Sequence, residues 1–195
     1  MPENPPAPAT VIVVCGASGA GKTRAATALA AHYGLPLGEA DDIVLALSAV
    51  TTRDQQPELH YWETHPAARA WEPERIADLH MRVAESLRPA FRAVLDDRLA
   101  FRRASVFEGD YLTPEMVVGV PGVVAVVLDE PSADQYVANF LAREPDSGIQ
   151  RHRAEVSAFI NARLVEQARR TGALVVPARP WESQLERLDA ALHRD

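Results

Sequence analysis

Apolar residues fall into short unbroken runs, separated by longer stretches in which they recur with helical spacing. Residues 10–15 (TVIVVC), 104–108 (ASVFE), 123–129 (VVAVVLD) and 173–177 (ALVVP) are continuous and β-branched, the pattern of strands covered on both faces. Between them, residues 74–102, 132–143 and 151–171 carry helical periodicity, with a last helix expected over 181–193 and a shorter one over 41–48. Pro89 lacks the N–H that would bond to the carbonyl of Glu85, so it is expected to kink the long helix. Alternating strands and helices of this kind build an α/β layer structure: a mainly parallel central sheet with helices on both faces. There is no internal repeat and no linker long enough to separate two units, so a single domain over residues 10–195 is expected. The Pro-rich polar tip over residues 1–9 is expected to be disordered.

Chemistry enters directly after the first strand. Gly16, Ala17, Ser18, Gly19, Ala20, Gly21, Lys22 and Thr23 match G-x-x-x-x-G-K-[ST]. The glycines let successive backbone N–H groups point at phosphate oxygens, the lysine reaches the β and γ phosphates, and the threonine hydroxyl is offered to Mg²⁺. The Ala-rich helix-forming run that follows would aim its positive end at the same phosphates. Strand, loop and helix thus follow in the order of a three-layer P-loop NTPase fold, with ATP and Mg²⁺ as the expected ligands. Lys22 is also the only lysine among the 20 basic residues. A planar guanidinium cannot replace a compact ammonium inside a tight phosphate loop, so this exception falls where the chemistry demands it.

Charge and cysteine usage narrow the class. A formal net charge of -7 and the lack of a basic run speak against a nucleic-acid partner. No apolar stretch approaches a membrane span or a signal-peptide core, which argues against a membrane partner. Cys15 is the only cysteine, so an intrachain disulfide and a multi-cysteine metal site are excluded, and a cytoplasmic setting is expected. The chain lacks an N-K-x-D guanine-reading motif and an L-S-G-G-Q signature. What remains is the compact group of P-loop kinases that phosphorylate small molecules.

Such a kinase needs a carboxylate near the end of the second strand to orient the acceptor hydroxyl. Asp41 and Asp42, in LPLGEADD, are the candidates. Capping of the apolar helix behind them would account for the same residues. Glu108 ends the third strand, where a carboxylate could hold Mg²⁺ or its bound water, and Asp110 is a competitor.

In their order, Asp41-Asp42-Ile43, the run from Glu108 through Gly109, Asp110 and Tyr111 to Pro114, Leu128-Asp129-Glu130, Arg143 and the pair Ile160 and Arg163 resemble the 2-phosphoglycerate kinase-like P-loop kinases over most of the chain. Val44 stands where that family has arginine and Tyr111 where it has histidine. The resemblance implies a helical lid over about 143–153 that brings Arg143 to the transferred phosphoryl group, with Arg151 and Arg153 beside it. The acceptor would be lined by the ring- and cation-rich segment 51–71, where Arg53 could hold an anionic group in place of the charge missing at Val44. Asp42, Arg53, Asp110 and Tyr111 are the acceptor-side candidates; Lys22, Asp41 and Arg143 the catalytic ones; Thr23 and Glu108 the metal-side ones. Three functions stay open: a kinase acting on 2-phosphoglycerate or a related phosphorylated or carboxylated metabolite, a phosphotransferase of the antibiotic-modifying or toxin type, and a non-catalytic ATP-binding switch or accessory ATPase.

Overall fold

The structure is a computed structural model describing residues 9–193, so all but the last residue of the expected tip lies outside the described residues. The chain runs β1 (Val11–Cys15), α1 (Lys22–Tyr33), β2 (Leu37–Glu39), α2 (Ala40–Val50), α3 (Tyr61–Thr64), α4 (Pro73–Ala100), β3 (Ser105–Glu108), β4 (Val123–Asp129), α5 (Ala133–Arg143), α6 (Arg151–Thr171), β5 (Leu174–Pro177) and α7 (Gln184–Leu192). The strands form one five-stranded sheet in the order β2-β3-β1-β4-β5, and every pairing is parallel. The expected α/β class with helices on both faces is therefore observed, and the sheet is wholly parallel.

The register explains the continuous apolar runs. β1 lies between β3 and β4, pairing Val13 with Phe107 on one side and with Ala125 on the other, and all five of its residues are fully buried. A strand with neighbours on both edges and helices on both faces has no position for a polar side chain. α1 and α7 pack side by side on one face, while α4 and α6 pack together on the other. Right-handed crossovers between parallel strands put the helices there.

α4 continues for 28 residues with Pro89 inside it. Pro89 is exposed, so water can satisfy the Glu85 carbonyl that has lost its donor. α7 begins at Gln184, not Trp181, because residues 178–183 form the loop that returns from β5. The segment 51–71 folds into α3 and a 3₁₀ turn, Pro66–Ala70, too short to give a periodic signal. Among the described residues, no helix is long and apolar enough to cross a membrane.

Candidate active site

Parallel pairing brings the carboxyl ends of all the strands to one edge of the sheet, where ligands of open α/β sheets collect. A cleft of about 740 Å³ opens there. Its walls include Ser18, Gly19, Gly21, Lys22 and Thr23 from the glycine-rich loop, Glu39 and Asp41 after β2, Glu108 and Asp110 after β3, and Arg143 and Arg153 from the helices on either side of the lid segment. Of the loop, Ala17 and Ala20 are instead fully buried beneath it, and Gly16 is buried as well.

The loop has the shape that phosphate binding requires. Gly21 caps α1 in the left-handed region at φ 89°, and it has no side chain to occupy the free N–H groups of the first turn. A Cβ on Gly21 would lie 2.4 Å from the Trp181 ring, so no other residue fits there. Lys22 is only 6 % exposed; its Nζ donates to the Ala17 carbonyl at 3.1 Å and to Asp110 Oδ1 at 2.5 Å. Thr23 Oγ1 donates to Glu108 Oε1 at 2.7 Å. A hydroxyl and a carboxylate in contact beside a lysine and a ring of N–H groups are the donor set of a Mg²⁺-polyphosphate site. Among the described residues no cluster of three or more His, Cys, Asp or Glu could hold a metal alone. Thr23 and Glu108 thus fit a magnesium ion that takes its remaining ligands from phosphate and water.

Asp41 and Asp110 approach each other at the acceptor end. Gly109 makes this possible: a Cβ there would meet the Ala40 Cβ at 2.6 Å, so only glycine lets the loop after β3 approach α2. The Asp110 N–H then lies 3.4 Å from Asp41 Oδ1. Loss of water around the Asp41 carboxyl, followed by the Asp110 charge, raises its pKa above the ordinary value. Burial likewise raises Glu108, against the Thr23 hydroxyl and the Lys22 charge. Burial pushes Asp110 up too, but the Lys22 ammonium more than offsets this, and its pKa ends below the ordinary value. His80 Nε2 lies 2.8 Å from the Asp110 carbonyl. A carbonyl can only accept, so that nitrogen carries the proton, and burial lowers the His80 pKa, keeping the ring neutral.

The other candidates fall in different places. Asp42 is exposed and outside the cleft walls, because neighbouring residues on a helix point about 100° apart and Asp41 takes the cleft side. Neither aspartate caps α2, whose N-cap is Glu39. Arg53 is exposed and also outside the cleft, since the chain turns away through residues 51–60 before α3. Tyr111 does not line the cleft; it stacks on His80 at 4.5 Å between ring centroids. Burial, then the Asp110 charge, pushes its hydroxyl up to about 12. Arg143 and Arg153 both line the cleft and both bind Glu144, at 2.7 and 2.8 Å, whereas Arg151 pairs with Asp134 at 2.5 Å. Arg163 holds Glu74 and Asp78 and is structural.

Sequence reasoning passed over one side of the cleft. Asn139 Nδ2 donates to the Gly19 carbonyl at 2.8 Å, and Arg179 Nη2 donates to Asn139 Oδ1 at 2.5 Å. Arg179 also reaches the buried Glu130 at 3.2 Å. Arg24 and Arg179 flank the Trp181 ring at 5.5 and 4.3 Å from its centroid. Asn139 is four residues before Arg143 on α5, a spacing that shares one helix face, and Arg179 and Trp181 follow β5 at the strand end where ligands gather. Those two spacings were the available signals.

No family model matches the sequence, and no curated protein matches it. Solved structures do resemble the fold. TT1252 from Thermus thermophilus superposes with a TM-score of 0.57 at 18% identity, covering 96% of each chain. A gluconokinase from Sinorhizobium meliloti gives 0.51 at 17% identity, over 96% of this chain and 93% of its own. The shikimate kinase from Acinetobacter baumannii, in complex with shikimate, gives 0.51 at 14% identity over 95% of each chain. At these identities the likeness is one of fold: a parallel α/β sheet with helices around it, shared with these kinases.

Proposed function

We propose that the protein is an ATP- and Mg²⁺-dependent kinase that phosphorylates a hydroxyl of a small molecule. The observation that carries this reading is the convergence of Lys22, Thr23, Glu108, Asp41 and Asp110 on one cleft at the carboxyl edge of a parallel sheet. The kinases among the structural neighbours support it, since shikimate kinase and gluconokinase share the fold. A phosphate loop alone would serve a switch as well; the Asp41 carboxylate in the wall of the same cleft is what favours transfer to a hydroxyl.

In this mechanism the loop and Lys22 hold the ATP phosphates, and Thr23 and Glu108 are the residues that would hold the ion. Bound there, Mg²⁺ would neutralise charge on the β and γ oxygens. Asp41 accepts a hydrogen bond from the acceptor hydroxyl and aligns its oxygen with the γ phosphorus. The new O–P bond forms as the bond from the γ phosphorus to the β–γ bridging oxygen breaks; ADP departs, and the hydroxyl proton passes through Asp41 to water. The raised pKa of Asp41 suits it to take that proton. Arg143 leaves Glu144 as the lid over about 143–153 closes, and it meets the charge developing on the transferred group. We assign residues 10–195 to one such domain acting in the cytoplasm.

The test is an ATP-consumption assay with Mg²⁺ over a panel of hydroxylated compounds, with mass detection of products. A phosphorylated product, lost in Lys22→Ala together with ATP binding, is expected. ATP hydrolysis at the same rate with or without every acceptor would return the protein to the accessory ATPase class.

A further inference from the structure

Beside the cleft lies a second cavity of about 350 Å³, lined by Trp62, Arg69, Ile76, His152, Arg153 and Val156. Two links join it to the acceptor end. Arg153 belongs to the walls of both cavities. The Trp62 indole lies near enough to the Tyr111 hydroxyl to act on its pKa, and Tyr111 follows Asp110, so the aromatic wall stands near the carboxylates. The cavity therefore adjoins the cleft, with Arg153 between the two.

Its lining is apolar in effect. The Trp62 ring and the Ile76 and Val156 side chains form its walls, and most polar atoms around it are already engaged. His152 Nε2 donates to the Trp71 carbonyl at 2.8 Å. Arg153 Nη1 is held by Glu144 at 2.8 Å and Gln150 at 3.0 Å, with its guanidinium over the Phe140 ring. Arg69 is exposed at the mouth, where an ion pair would be screened by water.

The charges near the hydroxyl position point the same way. Glu39, Asp41 and Asp110 line that end of the cleft, and the one ammonium beside them, Lys22, is paired. Val44 offers no cation, and Arg53 is outside the cleft. A carboxylate or phosphate on the acceptor would meet this like charge, and the guanidinium groups nearest to it, Arg143 and Arg153, are already held by Glu144. We propose that the acceptor is an uncharged hydroxyl compound with an apolar or aromatic body, and that this body occupies the cavity behind Trp62. The proposal rests on the kinase reading and replaces phosphorylated and carboxylated acceptors as its substrate class.

The test is calorimetric titration of the full chain, with Mg²⁺ and a non-hydrolysable ATP analogue present, by three probes sharing a polyol core: 4-nitrophenyl β-D-glucopyranoside, glucose and gluconate. The aryl glucoside is expected to bind at least about tenfold tighter than glucose, the scale of burying much of one aromatic ring, and gluconate weakest of all. Val156→Asp should bring the aryl glucoside down to the level of glucose, and Trp62→Ala should do the same with partial recovery in Trp62→Phe. Titration of each variant with the ATP analogue alone shows that it is folded. Equal binding of aryl glucoside and glucose, tighter binding of gluconate, or no binding of the glucoside overturns the proposal. Failure of the kinase reading looks different: the glucoside binds as expected, but no compound of its class is phosphorylated.

Discussion

Replacing Asp110 by Asn tests how the nucleotide-free site holds its lysine. The carboxylate lies 2.5 Å from Lys22 Nζ, with the lysine 6 % and the aspartate 33 % exposed. At an effective dielectric constant of about 20, gross attraction at that distance is roughly 7 kcal/mol, most of it offset by desolvation. Breaking a fully buried pair costs about 3–5 kcal/mol, and partial exposure of Asp110 lowers the expected loss to about 1–3 kcal/mol. For a chain of this length that corresponds to a fall in Tm of about 2–12 °C without nucleotide. ATP should respond in the opposite sense. In the wild type Lys22 must give up its carboxylate before it can serve a phosphate, and the variant is spared that exchange, so its ATP affinity should rise by about 5- to 100-fold. Thermal unfolding with and without nucleotide, together with calorimetric titration, measures both. An unchanged Tm, or weaker ATP binding, would refute the reasoning. The pH dependence supplies a sign check: the folded pKa of Asp110 lies below its ordinary 3.8, so the pair's contribution is present above 3.8 and fades as pH falls through the folded value. Wild type and variant should therefore converge in stability in acid.

Other substitutions separate the remaining roles. Asp41→Asn should lower phosphoryl transfer by about 10²- to 10⁴-fold while ATP affinity is kept, with product counted by mass; unchanged transfer removes Asp41 from the mechanism. Gly21→Ala must place a methyl group 2.4 Å from the Trp181 ring at φ 89°, so thermal unfolding should show a loss of about 1–2 kcal/mol or more, and ATP titration at least a tenfold weakening. Arg143→Ala should reduce turnover by about 10²-fold or more with little effect on ATP binding, and retained turnover in steady-state kinetics would show the arginine to be dispensable.

What could be read from the sequence was what is contiguous in it. β4 and α6 have the expected bounds because a continuous apolar run and a long periodic one each carry their own signal. The glycine-rich loop was legible for the same reason, since strand, loop and helix are consecutive. Glu108 could be placed because strand ends in a parallel sheet share one edge. Arg53 could not, because the density of cations in a segment says nothing of the direction in which an irregular loop turns. Asn139, Arg179 and Trp181 come from separate elements and meet only through the sheet order. Gly109 is a related case: its sequence neighbours do not reveal that α2 lies within contact distance.

The position of Trp181 against Gly21 gives the protein an intrinsic optical reporter. The chain has three tryptophans, and they are distributed usefully. Trp181 lies on the phosphate loop between two guanidinium groups, Trp62 forms the wall of the side cavity, and Trp71 is covered by Arg75 at 3.4 Å. Emission from an indole depends on the charges and water around it, so chains that retain only Trp181 or only Trp62 would follow occupancy of the two halves of the site separately and without a label. The order in which nucleotide and acceptor arrive is then open to stopped-flow fluorescence.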